Sequence, residues 1–131
     1  MNLYTGIGQG RVTKNLGTFV DNLSGSLNIP DEKSLAMLYE LLDTTGLYLG
    51  ASSSLNVVAA VEMAQKLGPG MFSSIAEPAS MLNISLGSRV ATILCDGAHR
   101  YQSRLFSRSW LKSKGLENAV PDHLQKYIVL E

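Results

Sequence analysis

Val90-Ala91-Thr92-Ile93-Leu94 is the apolar run on which the fold reading turns. An unbroken run of this length suits a central strand of a parallel sheet, covered on both faces. Working outward, Leu47-Tyr48-Leu49 is a second, very short strand candidate, and Ser24–Ile29 is a third. Helical patterns lie between them. Pro30-Asp31-Glu32 puts a proline in a first turn and two acids at the positive end of a helix dipole. Leu35, Met37, Leu38, Leu41 and Leu42 then recur at three- and four-residue steps, which predicts a helix to about Thr44, closed by Gly46. Gly50-Ala51-Ser52-Ser53-Ser54 reads as a turn. A helix follows from Ser52 or Ser53 to about Leu67, where Gly68-Pro69-Gly70 stops it. Its middle, Val57–Val61, is apolar all round and is expected to be buried between a sheet and another layer. Tyr101–Ser113 reads as the last long helix, with Leu105, Phe106 and Trp110 on one side, and Pro121–Tyr127 as a short terminal one. Strand and helix alternate. The fold class expected is therefore α/β, a partial three-layer parallel sheet with flanking helices.

The whole chain, residues 1–131, fits one domain, with neither internal repeat nor linker. Apolar residues make up 45% and charged residues 17%, which argues against disorder. Eleven basic and eleven acidic residues cancel. The basic excess or stripe of a nucleic-acid binder is missing, so no nucleic-acid partner is expected. No apolar run approaches the ~18 residues of a membrane span. Met1–Gly6 shows no basic region followed by an apolar stretch, so no secretory signal is expected and the chain reads as intracellular. One cysteine, Cys95, leaves no internal disulfide and no multi-cysteine zinc site.

Three features bear on chemistry. Gly6-Ile7-Gly8-Gln9-Gly10-Arg11 is glycine-rich, but Arg11 stands where a dinucleotide fingerprint needs its third glycine, and no strand precedes it. It reads as an ordinary loop or as backbone flanking a flat ligand. The serines of Gly50–Ser54 either cap a helix or point hydroxyls into a ligand crevice at a strand's carboxyl end. Asp96, in Cys95-Asp96-Gly97-Ala98-His99-Arg100, either accepts a hydrogen bond from a ligand or caps the following helix. Cys95 and His99 lack a third partner for a metal or thiol centre, and His123 reads as a solvated residue near the C-terminus, so neither metal nor catalytic residues are assigned. Arg100, Arg104 and Arg108 form a solvated stripe or one face of a protein contact.

Gly6-Ile7-Gly8, Gly46-Leu47-Tyr48-Leu49-Gly50-Ala51-Ser52-Ser53, and Val90–Leu94 leading to Arg100-Tyr101 and Leu105-Phe106 resemble, in order and spacing, one family. It is the C-terminal part of the pyridoxal-phosphate-dependent cysteine synthase and cystathionine β-synthase enzymes. Gly6–Arg11 and Cys95–Gln102 resemble its fungal cysteine-synthase-like branch. The resemblance implies the tryptophan-synthase-β-like fold. It implies pyridoxal 5′-phosphate as cofactor, with Gly6 and Gly8 beside cofactor and substrate. Ser52 is implied at the pyridine nitrogen, and Asp96 near the same ring edge. A neutral hydroxyl at that nitrogen suits β-elimination and β-replacement. The substrate implied is an O-activated serine or related amino acid, with sulfide or a thiol as second partner. A homodimer in the cytoplasm or mitochondrion is implied for the full-length enzyme.

The family's Schiff-base lysine has no counterpart among Lys14, Lys33, Lys66, Lys112, Lys114 and Lys126. The chain is thus expected to be a fragment, inactive alone. A non-catalytic interaction module or pseudoenzyme retaining half of the fold is the alternative. Ser54 replaces the last glycine of the bacterial Gly-Ile-Ser-Ser-Gly pattern. Met71–Ser88 falls where relatives have a short loop. It is expected to be an atypical insertion, and a translated intron is one origin the protein sequence permits.

Overall fold

Asp31 and Glu32 open helix α2 (Asp31–Thr45), with Pro30 just outside its first turn. The proline's carbonyl accepts from the Ser34 amide and hydroxyl, both at 3.3 Å. At the far end Gly46 takes φ 71°, a left-handed turn that glycine adopts without a Cβ clash, and its N–H returns to the Leu42 carbonyl at 3.1 Å. Leu35, Leu38 and Leu41 of the expected stripe are buried, Met37 and Leu42 are half-buried, and Tyr39 joins the buried face. The structure, a computed structural model, describes residues 12–67 and 90–131.

Two longer helices carry the fold. α2 packs along α3 (Ala51–Leu67), and the other described elements are short. These are α1 (Lys14–Gly17), α4 (Gln102–Leu105), α5 (Arg108–Ser113) and 3-10 turns at Val20–Asn22, Ala98–Tyr101, Glu117–Ala119 and Asp122–Tyr127. The core joins Leu35, Leu38 and Tyr39 of α2 to Leu105, Phe106, Leu111, Leu116, Val120 and Leu124. The Tyr39 ring lies 5.2 Å from Phe106, and its hydroxyl donates to the buried Leu105 carbonyl at 2.6 Å. Burial pushes that phenol well above its ordinary pKa, so it stays a donor.

The expected partial three-layer parallel sheet is not found. Among the described residues there is no strand. Leu49 makes an isolated antiparallel bridge with Gly97, and Ser107 a parallel one with Leu130. A strand needs a neighbour to pair its backbone groups. Val90–Leu94 is tied to α3 by side-chain bonds at Asn56 instead. Asn56 Nδ2 donates to the Ile93 carbonyl at 2.9 Å, and Thr92 Oγ1 donates to the Asn56 carbonyl at 3.2 Å. Ile93 is 73% exposed and Leu94 48%, so this run lacks the two-sided burial of a central strand. Ser24–Ile29 forms no strand either.

Two helix expectations also change. α3 is buried at Ala51, Ser53, Ser54 and Val58, and most of its remaining length is half-exposed. Its apolar middle has α2 on one side and, among the described residues, no sheet on the other. The long helix expected over Tyr101–Ser113 is broken at Phe106–Ser107. There Leu130 N donates to the Phe106 carbonyl at 3.0 Å and Arg108 N to the Leu130 carbonyl at 2.8 Å. Ser107 Oγ then caps α5 by accepting from Trp110 N at 3.3 Å. Gly6, Gly8, the Gly68–Gly70 stop and the whole 71–88 segment lie outside the described residues.

Candidate functional site

The start of α3 and the segment after Val90–Leu94 meet at one place. Gly50 N donates to the Asp96 carbonyl at 3.0 Å, and Ala98 N donates to the Tyr48 carbonyl at 3.1 Å. These two bonds bring Asp96 onto the first turn of α3. Gly50 is required there by space. A Cβ on it would drive into Asp96 Oδ1 and sit 3.0 Å from Asp96 Cγ.

The three serines then divide the work. Ser53, fully buried, bridges the Asp96 backbone: its hydroxyl accepts from Asp96 N at 3.1 Å and donates to the Asp96 carbonyl at 2.9 Å. Ser54, also buried, donates to the Gly50 carbonyl at 3.2 Å. That bond satisfies its hydroxyl where the bacterial pattern has glycine. Ser52 is half-exposed and donates to Asp96 Oδ1 at 3.4 Å. The other carboxylate oxygen, Oδ2, accepts from the Tyr101 hydroxyl at 2.7 Å. This bond raises the Tyr101 phenol above its ordinary value, so Tyr101 holds its proton and donates it.

Of the four residues the sequence singles out for a cofactor, the structure thus brings Ser52 and Asp96 together, and Gly6 and Gly8 lie outside the described residues. The helix-capping alternative does not hold for Ser52 or Asp96. The Ser52 hydroxyl turns to a carboxylate rather than to the helix backbone. The 3-10 turn at Ala98–Tyr101 has Gly97 at its cap position without a side-chain bond, so Asp96 does not cap it. Tyr101, Ser53 and Gly50 complete the cluster. Ser53 belongs to the serine run already singled out, whereas Tyr101 and Gly50 carry no site role in the sequence pattern. The glycine two residues before Ser52 was the one available signal.

The remaining candidates sit apart. His99 stacks edge-on against Tyr48 at 4.9 Å between ring centroids. Cys95 is exposed and takes an N–H from Asn56 at 3.5 Å. His123 faces Glu40 across 3.6 Å. Among the described residues no three His, Cys, Asp or Glu side chains gather as a metal site. No described helix is long and apolar enough to cross a membrane. Lys33 pairs with Glu62 and Lys126 with Asp43, both at 2.8 Å, and Lys114 lies over the Trp110 ring. Lys66 stands at the far end of α3, about 20 Å along the axis from Ser52 at 1.5 Å per residue.

Comparison with known proteins supplies the context. Over 125 residues, 95% of the chain, the sequence is 59% identical to a protein of Emericella nidulans named cysteine synthase 1. A Neurospora crassa protein of the same name is 56% identical over the same share. A Dictyostelium discoideum protein named cysteine synthase is 36% identical over 88% of the chain. The chain spans 29% of the length of each of the first two and 26% of the third. No family model matches it.

Proposed function

We propose, for a chain that belongs by sequence to the cysteine synthase family along 95% of its length, that it supplies the ring-facing wall of a pyridoxal-phosphate site. The Ser52–Asp96–Tyr101 cluster is the observation that carries this reading. These residues fit the group. Ser52 is the one serine of the three whose oxygen is both half-exposed and spared from bonding backbone, so it can meet a ring nitrogen at the first turn of α3. When bound, the cofactor supplies the electron sink for β-elimination and β-replacement on an O-activated serine. This chain's part is to orient. Ser53 fixes the Asp96 backbone, Gly50 leaves space for its carboxylate, and Ser52 and Tyr101 both donate to that carboxylate.

Gly6 and Gly8 are proposed beside the same cofactor and its substrate, and residues 71–88 as an insertion in the family pattern. In the whole enzyme we assign sulfide or a thiol as the second reactant. A homodimer and a cytoplasmic or mitochondrial compartment belong to the same proposal. A Saccharomyces cerevisiae relative, 26% identical over 88% of the chain, bears the name putative mitochondrial cysteine synthase. None of the six lysines stands in the family's Schiff-base context, so the chain by itself is proposed to form no cysteine.

The test is a binding and turnover assay on the purified chain. Pyridoxine 5′-phosphate, whose alcohol cannot condense with surface lysines, should bind saturably to wild type and at least tenfold more weakly to Ser52→Ala. Cysteine formation from O-acetylserine and sulfide with added pyridoxal phosphate should match the protein-free control. Equal binding by both proteins, or turnover above the control, contradicts the reading. The exposure of Ile93 and Leu94 favours a second reading, a chain that associates with another protein through this face. A monomer at all concentrations in light scattering, unchanged by Ile93→Ser, would exclude self-association by that face.

A further inference from the structure

Residues 12–23 form successive helical turns that lie outside the core. Gly17 N donates to the Thr13 carbonyl at 2.8 Å, Phe19 N to Leu16 at 2.9 Å, Asn22 N to Phe19 at 2.9 Å and Leu23 N to Val20 at 3.2 Å. Val12, Leu16, Phe19, Val20 and Leu23 recur along this arm at steps of four, three, one and three, the spacing of one helix face. All five are exposed, between 40% and 62%. None joins the core cluster or packs against it. A bare apolar side of this kind marks a surface that another surface covers.

The chain also carries a groove of matching character. It lies between α2 and α3 and encloses about 280 Å³. Ala36, Met37, Val58 and Val61 supply its apolar lining, with Lys33 and Glu40 also on its α2 wall. The arm stands clear of this groove, for none of its residues lines it.

Charge sets the direction in which arm and groove fit. Lys14 and Asp21 are the two charged residues of the arm. Among the described residues neither has an ion-pair partner. They are seven positions apart, and so are Lys33 and Glu40 on α2. In helical turns both spacings come to about 10–14 Å. Laid antiparallel to α2, the arm brings Lys14 to Glu40 and Asp21 to Lys33. Laid parallel, it sets lysine on lysine and carboxylate on carboxylate. Both groove charges have capacity to spare. Glu40 faces only His123, at 3.6 Å, and Lys33 donates to Glu62 at 2.8 Å while keeping further N–H groups.

We propose that residues 12–23 of one copy of this chain dock, antiparallel to α2, in the α2–α3 groove of a second copy. The exchange is reciprocal about a two-fold axis, so it fills both grooves and stops at the dimer. A formal net charge of zero puts no repulsion between the copies. The contact uses neither the Ser52–Asp96–Tyr101 cluster nor Ile93 and Leu94, so it stands apart from both readings above.

Sedimentation velocity on the intact chain, over a range of concentrations, tests this. Wild type should pass from monomer to dimer and to nothing larger. Phe19→Asp places a charge on the apolar side of the arm and should weaken the dimer at least about tenfold. Phe19 lies outside the core, so the variant's Tm should stay with wild type, which separates lost docking from lost folding. Lys14→Glu sets a like charge against Glu40 and should weaken the dimer about threefold, and Glu40→Lys in the same chain should restore it. A chain monomeric at every concentration overturns the proposal. So does a dimer indifferent to Phe19→Asp, or a Lys14→Glu dimer that Glu40→Lys fails to rescue. A monomer whose arm amides resist hydrogen exchange overturns it in favour of docking within one chain. A dimer lost in Ile93→Ser and kept in Phe19→Asp overturns it in favour of the Ile93 face.

Discussion

Replacing Gly50 by alanine tests whether the contact between α3 and Asp96 holds the two described parts of the chain together. The added Cβ would drive into Asp96 Oδ1, with Cγ at 3.0 Å and the Asp96 carbonyl at 3.4 Å. Two responses are open. If the carboxylate alone swings away, its bonds to Ser52 and Tyr101 are lost, at about 1 kcal/mol each. If the segment retreats, the Gly50–Asp96 backbone bond and both Ser53 bonds go as well, and the cost rises to about 5 kcal/mol. Alanine returns about 0.5–1 kcal/mol by restricting the unfolded chain. The net loss is then about 1–4 kcal/mol, which for a chain of this size lowers Tm by roughly 3–20 °C. Thermal melts followed by far-ultraviolet circular dichroism read this out. Gly25→Ala is the control, because a Cβ there meets nothing within 4 Å, and its Tm should stay within about 2 °C of wild type. In an Asp96→Ala background most of the Gly50→Ala cost should vanish, since the two residues act on one another. A Gly50→Ala protein melting with wild type, or a cost unchanged in the Asp96→Ala background, would refute the reasoning.

Tyr39→Phe leaves the buried Leu105 carbonyl without its donor at 2.6 Å and should cost about 1–3 kcal/mol in urea unfolding. A neutral result would mean the hydroxyl adds nothing to the core. Leu111→Ala empties a fully buried position and should cost about 2–5 kcal/mol by the same measurement, well above any exposed leucine such as Leu67. Hydrogen bonds from Lys126 and Tyr127 hold the Asp43 carboxyl below its ordinary value, tying the turn at Asp122–Tyr127 to α2. A depressed carboxyl stabilises the fold above its unfolded pKa and loses that contribution as pH falls through the folded one. The Tm gap between wild type and Asp43→Asn should therefore close on acidification, and a gap that widens would contradict the assignment.

Local chemistry made part of this legible. The Pro30-Asp31-Glu32 opening, the leucine spacing and Gly46 define α2 almost to the residue, because capping, dipole and periodicity all act within one helix. The Gly50–Ser54 turn into α3 was readable for the same reason. The sheet was misread because Val90–Leu94 has strand composition, and composition does not reveal whether a partner strand lies beside it. Asn56 and Thr92 bond across 36 residues instead. The break at Phe106–Ser107 depends on Leu130, which no helical window contains. At the site, Ser52 and Asp96 stand out by local chemistry, a family resemblance implies their ring-facing roles, and their contact comes from the fold. Tyr101 escaped notice as Asp96's partner because five residues and a 3-10 turn separate them, a spacing without helical signature.

The central claim is that this chain offers a place for the cofactor ring and no lysine to bind its aldehyde. Incubation with pyridoxal phosphate, reduction with borohydride and peptide mapping by mass spectrometry test it most directly. The account predicts low modification scattered over the exposed lysines, the same in Ser52→Ala as in wild type. One lysine modified close to stoichiometrically, and lost on Ser52→Ala, would contradict it.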